Sequence, residues 1–283
     1  MPFVVPLDKA QAEYPEYIFI EALTPSEQKA AFHVEDQAGN HCCLKIIAPN
    51  YDVVRLQREI LALQSLAHPN VAKFKEYTCS YKEGHNRHCL VEEYIDGTDL
   101  SNKFQKDQEW SKSDASKFFA ELCDGLSALE EKNIVHRDLK PSNIRVRSSG
   151  SPVIIDFGLI RCLDLPDRTR TVNGAAIGTP PYFAPEQFQG TKYDIDHRTD
   201  LFAVGILLYE ALFAQHPFNR SGMSYQELSE AVCNSDDHLN VTQFAALPDK
   251  WRLIIEKLLE KERSKRPYSA LQVASILRKI GEL

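Results

Sequence analysis

The sequence has no apolar run of about 18 residues, the length a membrane-crossing helix needs, and no basic N-terminal segment leading into an apolar core. A membrane span or an export signal is therefore not expected, and the chain reads as soluble and unexported. It also lacks any C-x-x-C pair. Its seven cysteines (42, 43, 79, 89, 123, 162, 233) are odd in number and scattered, which argues against a disulfide framework or a zinc site and suits a reducing cytoplasm. His41-Cys42-Cys43 looks like a run of metal ligands, but adjacent strand residues point to opposite faces, so packing is the expected role. Positive charge is in deficit. The 33 Lys and Arg against 40 Asp and Glu leave a net charge of -7, which disfavours nucleic acid or an anionic membrane as the main partner. No internal repeat or low-complexity tract interrupts the chain.

What is present can build a core. The 283 residues are 43% hydrophobic and 26% charged, enough for one large domain or two lobes. Residues 1–16 carry three prolines and read as an extended lead-in. Tyr17–Leu23, Ala30–Glu35 and His41–Ala48 read as strands, the last two joined by a turn at Asp36–Asn40. Val53, Leu56, Ile60, Leu63 and Leu66 recur at helical spacing up to His68-Pro69-Asn70. Val71–Ser80 and Arg87–Tyr94 are two further strands, and Asp96-Gly97-Thr98 marks a turn between an N-terminal lobe, 17–94, and a C-terminal lobe, 95–283.

Beyond it, Ser113–Lys132 is an amphipathic helix with Ser113 as the expected N-cap. Ile144–Val146 and Pro152–Ile155 flank Ser148-Ser149-Gly150 as a small hairpin would, and Leu159–Gly178 is a long polar loop. Asp200–Phe213 is apolar nearly all round, a buried helix, and Tyr225–Cys233, Asp249–Leu259 and Ser269–Lys279 complete a helical second half. Strands first and helices afterwards predict an α+β fold: a small antiparallel β lobe with one main helix, then a larger, mainly α-helical lobe.

The chemistry gathers in His136-Arg137-Asp138-Leu139-Lys140-Pro141-Ser142-Asn143, which sets a carboxylate, an ammonium and a carboxamide in one short polar segment. A second acid follows in Asp156-Phe157-Gly158. Two acids, an amide and a lysine between apolar runs suit a site that holds divalent metal on a polyphosphate and orients a hydroxyl.

These residues resemble the motifs of the Hanks-type serine/threonine protein kinase family, and the resemblance covers nearly the whole chain. His136-Arg137-Asp138 with Lys140 and Asn143 matches the catalytic loop, Asp156-Phe157-Gly158 the metal-binding motif, and Ala184-Pro185-Glu186 the end of the activation segment. Asp200 matches the acid of the buried helix, and Arg266 the arginine that pairs with the glutamate at Glu186. Upstream, Lys45 matches the phosphate-binding lysine and Glu59 its helix partner.

The resemblance implies transfer of the ATP γ-phosphoryl group to protein hydroxyls with Mg2+, or Mn2+ in its place. Asp138, Lys140 and Thr179 take the catalytic positions, with Thr179 matching the threonine that bridges the other two in serine/threonine enzymes. Lys45, Glu59, Glu93, Ile95, Asp99, Asn143 and Asp156 fall at nucleotide-binding positions, with Asn143 and Asp156 as metal ligands. Arg137 and Arg161 imply control by a phosphate on Thr169 or Thr171, and Glu186, Asp200 and Arg266 are structural. Phosphorylation of a small molecule is disfavoured by the long loop and the Thr179 segment.

The nucleotide canopy departs from the family. Where the pattern is G-x-G-x-x-G, the aligned tip is Thr24-Pro25-Ser26-Glu27-Gln28-Lys29, without a glycine and with one amide removed by Pro25; Lys29 or the Ser26 hydroxyl could compensate in part. Ala31 and Cys43 fall above the base, Arg145 beneath it, and Glu92 at the position before the hinge that is usually apolar. Buried charges need partners, so Arg145 and Glu92 are expected to compensate each other. The departures leave a second class open, a pseudokinase that senses nucleotide or serves as a scaffold.

Overall fold

Alternation along two neighbouring strands decides the first half of the fold. Phe32, Val34, Cys42, Leu44 and Ile46 lie on one face and are buried, while Lys29, Ala31, His33, Cys43 and Lys45 fall on the other. The computed structural model describes residues 1–82, 85–104, 109–163, 179–190, 195–237 and 241–282. The chain divides into two compact units, Met1–Asp96 and Gly97–Leu283.

In the first unit, helix α1 (Leu7–Glu13) precedes β1 (Ile18–Ala22), β2 (Lys29–Glu35) and β3 (His41–Ile47); α2 (Val53–Ser65), β4 (Phe74–Lys82) and β5 (His85–Glu93) follow. The five strands form one antiparallel sheet in the order β1-β2-β3-β5-β4. The expected extended lead-in over 1–16 is corrected by α1. Its Ala10, with Val5 and Tyr14, covers the apolar face made by Phe32, Val34, Cys42, Leu44 and Ile46, and Glu13 ties it to Arg87 on β5. That face would otherwise meet water, and the prolines at 2, 6 and 15 flank the helix rather than interrupt it. On α2, Asp52 caps the start by accepting from the amides of Val54 (2.8 Å) and Arg55 (3.1 Å). Glu59 sits within the buried stripe of Leu56, Ile60 and Leu63 and is itself fully buried.

The second unit opens with β6 (Gly97–Asp99), where a turn was expected, and α3 (Leu100–Phe104). Gly97 is required there: its φ is 150°, and a Cβ would stand 2.0 Å from the Val146 carbonyl oxygen. The long helix α4 (Lys112–Glu130) has its N-cap two residues earlier than expected, at Ser111 rather than Ser113, accepting from the Asp114 amide at 3.0 Å. Then come β7 (Ile134–Val135), β8 (Ile144–Arg147), β9 (Pro152–Ile154) and β10 (Arg161–Cys162), paired as β6-β8-β9 and β10-β7. The remaining helices are α5 (Pro185–Phe188), α6 (His197–Phe213), α7 (Tyr225–Asn234), α8 (Thr242–Ala245), α9 (Asp249–Leu258) and α10 (Ala270–Gly281).

Helix α6 is buried almost all round and forms the axis of this unit. Gly205 lets it approach α9, since a Cβ there would lie 2.8 Å from the Leu258 side chain. Against α4, Ser116 donates to the Leu277 carbonyl of α10 at 2.6 Å. Among the described residues, no helix is long and apolar enough to cross a membrane.

Candidate active site

The loop from His136 to Asn143 is held in a conformation that its residues would not choose alone. Arg137 has a φ of 69°, the left-handed region that costs a non-glycine residue free energy. Asp200, at the start of α6, holds it there: one carboxylate oxygen accepts from the His136 amide at 2.8 Å and the other from the Arg137 amide at 2.9 Å. Gln187 donates to the Arg137 carbonyl at 2.9 Å. Burial raises the pKa of the Asp200 carboxyl, an effect partly offset by the His136 charge and by the two amides. A short 3-10 turn, Pro141–Asn143, closes the loop.

This backbone course brings Asp138, Lys140, Asn143 and Thr179 together. The Lys140 ammonium lies 2.8 Å from one Asp138 oxygen and donates to the Thr179 hydroxyl at 2.6 Å. The Thr179 amide donates to the other Asp138 oxygen at 3.0 Å. Asn143 donates its amide hydrogens to the Asp138 carbonyl (2.9 Å) and carboxylate (3.0 Å). The result is a carboxylate fixed from three sides beside an ammonium, which can accept a hydroxyl proton next to a site for negative charge.

Asp156 follows β9, with a φ of 60° and an oxygen accepting from the Gly158 amide at 3.4 Å. Phe157 is buried and packs edge-on against His136, ring centroids 5.3 Å apart. The Asn143 nitrogen is committed to Asp138, which turns its side-chain oxygen to other use; that oxygen and the Asp156 carboxylate are hard donors of the kind Mg2+ takes, and the residues present fit that ion. Arg161 lies on β10, opposite Val135, and donates to the Ile195 carbonyl at 3.1 Å. Thr169 and Thr171 lie outside the described residues.

Two expected pairings are replaced. Lys45 pairs with Glu92 at 2.7 Å, its cross-strand neighbour region on β5, instead of with Glu59. The Glu59 carboxylate is taken by Lys29 at one oxygen and by the Tyr51 hydroxyl, at 3.1 Å, at the other. Arg145 and Glu92 were expected to answer each other. Instead Arg145 donates to Asp99 at 2.9 Å, directly across the β6–β8 ladder, and to the Gly97 carbonyl at 2.7 Å. The cause in both cases is proximity: Lys45, which is buried, and Arg145, which is half-buried, each take the opposite charge that strand register sets beside them. Asp99 is thereby engaged by a guanidinium. Glu93 closes β5, its amide donating to the Lys73 carbonyl at 2.8 Å, and Ile95 is buried.

Glu186 receives the Arg266 guanidinium as a fork, 2.7 and 2.8 Å to its two oxygens, and the Thr199 hydroxyl at 2.8 Å. Arg266 also donates to the carbonyls of Arg198, Glu260 and Lys261, so it joins the start of α6 to the end of α9. A cluster that the sequence reading missed sits beside Thr179. Tyr182 donates to Glu210 of α6 at 3.1 Å and packs edge-on against His216. Burial lifts the Glu210 carboxyl to about 7 and drops the His216 imidazole to about 4. Its only sequence signal is an acid inside an otherwise apolar helix.

Comparison with known proteins gives the family of the chain. Residues 29–276 match the model of the protein kinase domain. The serine/threonine-protein kinase PkaA of Streptomyces coelicolor is 32% identical over 257 residues, covering 88% of this chain and 45% of that protein. The serine/threonine-protein kinase pkn2 of Myxococcus xanthus is 32% identical over 233 residues, 79% of this chain and 26% of its own length. The human serine/threonine-protein kinase ULK3 is 31% identical over 227 residues, 80% of this chain and 45% of its own. The chain thus spans less than half the length of these curated relatives.

Proposed function

The chain belongs to the protein kinase family, and from that premise we propose that it transfers the γ-phosphoryl group of ATP to serine and threonine hydroxyls of proteins. What carries the reading is the cluster of Asp138, Lys140, Asn143 and Thr179. In the transfer, the substrate oxygen bonds to the γ-phosphorus as the bond to the bridging oxygen breaks and ADP leaves. Asp138 accepts the hydroxyl proton, Lys140 neutralises the γ-phosphoryl oxygens, and Thr179 keeps both from swinging away. Asn143 orients Asp138 through its nitrogen; its oxygen and Asp156 would hold Mg2+, which supplies charge neutralisation on the phosphates. Lys45 is assigned to the nucleotide phosphates, Glu93 and Ile95 to the base, and Asp99 to the nucleotide beyond the hinge. Arg137 and Arg161 are assigned to a phosphate on Thr169 or Thr171. Scattered free cysteines suit a reducing cytoplasm.

The test is incubation with γ-labelled ATP, Mg2+ and a generic protein acceptor, followed by phosphoamino-acid analysis. Label on serine and threonine, lost in Lys45→Met, is the expected result; label on tyrosine alone would refute it. The Lys45–Glu92 pair favours a second reading, because the family places its strand lysine on the helix glutamate for transfer. A nucleotide sensor would show a thermal shift with MgATP and no transfer.

A further inference from the structure

The tip that should present backbone amides to nucleotide phosphates has almost none to present. Pro25 has no N–H. The Ser26 amide donates to the Lys29 carbonyl at 2.9 Å, and the amides of Gln28 (3.3 Å) and Lys29 (3.0 Å) both turn inward to the Ser26 hydroxyl oxygen. Phe3 fixes the turn further by donating to the Ser26 carbonyl at 2.8 Å. A polyphosphate brought to this tip needs positive charge from side chains.

Lys29, the residue that ends the tip and begins β2, is placed to give it. Lys29 stands opposite Ile47 and Ala31 opposite Lys45, so both lysines project from the same face of the β2–β3 pair, about 7–8 Å apart on the diagonal. Lys29 is buried and ion-paired with Glu59 of α2, whose other oxygen holds Tyr51. The helix clamp that the family uses for its β3 lysine is thus on Lys29, while Lys45 has its own acid in Glu92. A buried ion pair adds little to stability compared with apolar residues of the same size, so the fold alone does not call for it.

We propose that Lys29 is a second phosphate-binding lysine, clamped by Glu59 and Tyr51, supplying the charge that the tip amides do not; this rests on the kinase reading above. Two measurements on the full chain test it. In titration calorimetry, Lys29→Met combined with Glu59→Gln, so that no buried charge is left alone, is expected to weaken MgATP binding about tenfold or more and to leave adenosine binding unchanged. Equal loss for both ligands, or no loss for either, would overturn the assignment. In the wild-type chain, an acyl-phosphate derivative of ATP should label Lys29 as well as Lys45, with excess ATP blocking both; label on Lys45 without Lys29 would equally overturn it. If the wild type transfers phosphate and either contrary result appears, this proposal alone fails. A wild type that neither transfers phosphate nor prefers MgATP to adenosine sinks both readings.

Discussion

Lys45 donates to the Oε2 of Glu92 at 2.7 Å, while the helix acid Glu59 belongs to Lys29 and Tyr51. Two buried lysines on one face of the sheet thus each hold a buried glutamate, Lys45 that of β5 and Lys29 that of α2. Removing one member leaves an uncompensated charge, whereas removing an opposite pair does not.

That difference is measurable as a double-mutant cycle. Glu92→Met should cost about 3 kcal/mol in urea denaturation, and Lys45→Met with Glu92→Met should recover most of it. Simply additive losses would mean the pair is not coupled in solution.

The Glu186–Arg266 fork makes a second stability prediction. Both side chains are buried, and Arg266 alone joins Glu186 to three carbonyls. Arg266→Met should cost about 3–5 kcal/mol, because it strands the Glu186 charge, and should lower the melting midpoint by about 10 °C. Arg266→Lys should recover only part of this, since an ammonium cannot make the fork. Full recovery by lysine would contradict the geometry.

For Glu210 the prediction is a pH dependence. Burial lifts its folded pKa to about 7 from an ordinary value of 4.5, so the folded state holds a proton that the unfolded chain has released. The contribution of Glu210 is therefore fully present below about pH 4.5 and is lost as pH rises to about 7, by on the order of 3 kcal/mol. Glu210→Gln should gain on the wild type across that window, measured by urea denaturation at several pH values. A constant difference between the two proteins would show that Glu210 does not titrate there.

Thr179 joins the catalytic cluster by two bonds of different kinds. Its amide bond to Asp138 survives Thr179→Val, and its hydroxyl bond to Lys140 does not. The variant should lose about tenfold or more in kcat, with KM for ATP nearly unchanged, as for a lost hydrogen bond to a charged group. A rise in KM with kcat intact would place Lys140 in ground-state nucleotide binding instead.

Much of this was legible in the residues. Leu56, Ile60 and Leu63 announce α2, and the closeness in sequence of Asp138, Lys140 and Asn143 announces the cluster that they form with Thr179. What stayed hidden depends on strand register. Cys43 faces Glu92 across β3 and β5, and Lys45 sits two residues along, a relationship between segments 47 residues apart that no local pattern encodes. The same holds for Asp99 and Arg145 across β6 and β8. Helix α1 escaped notice because seven residues with one buried alanine carry too little periodicity to be read. The shift of the α4 cap from Ser113 to Ser111 reflects two serines equally suited by type and separated only by backbone geometry.

The central claim is that Asp138 takes the hydroxyl proton in phosphoryl transfer. It is tested most directly by single-turnover transfer from γ-labelled MgATP to a protein acceptor by the wild type and by Asp138→Asn, with calorimetric MgATP affinity measured on both. The account predicts a rate lower by about 10²–10⁴-fold in the variant at unchanged MgATP affinity. Transfer by Asp138→Asn at the wild-type rate would contradict it.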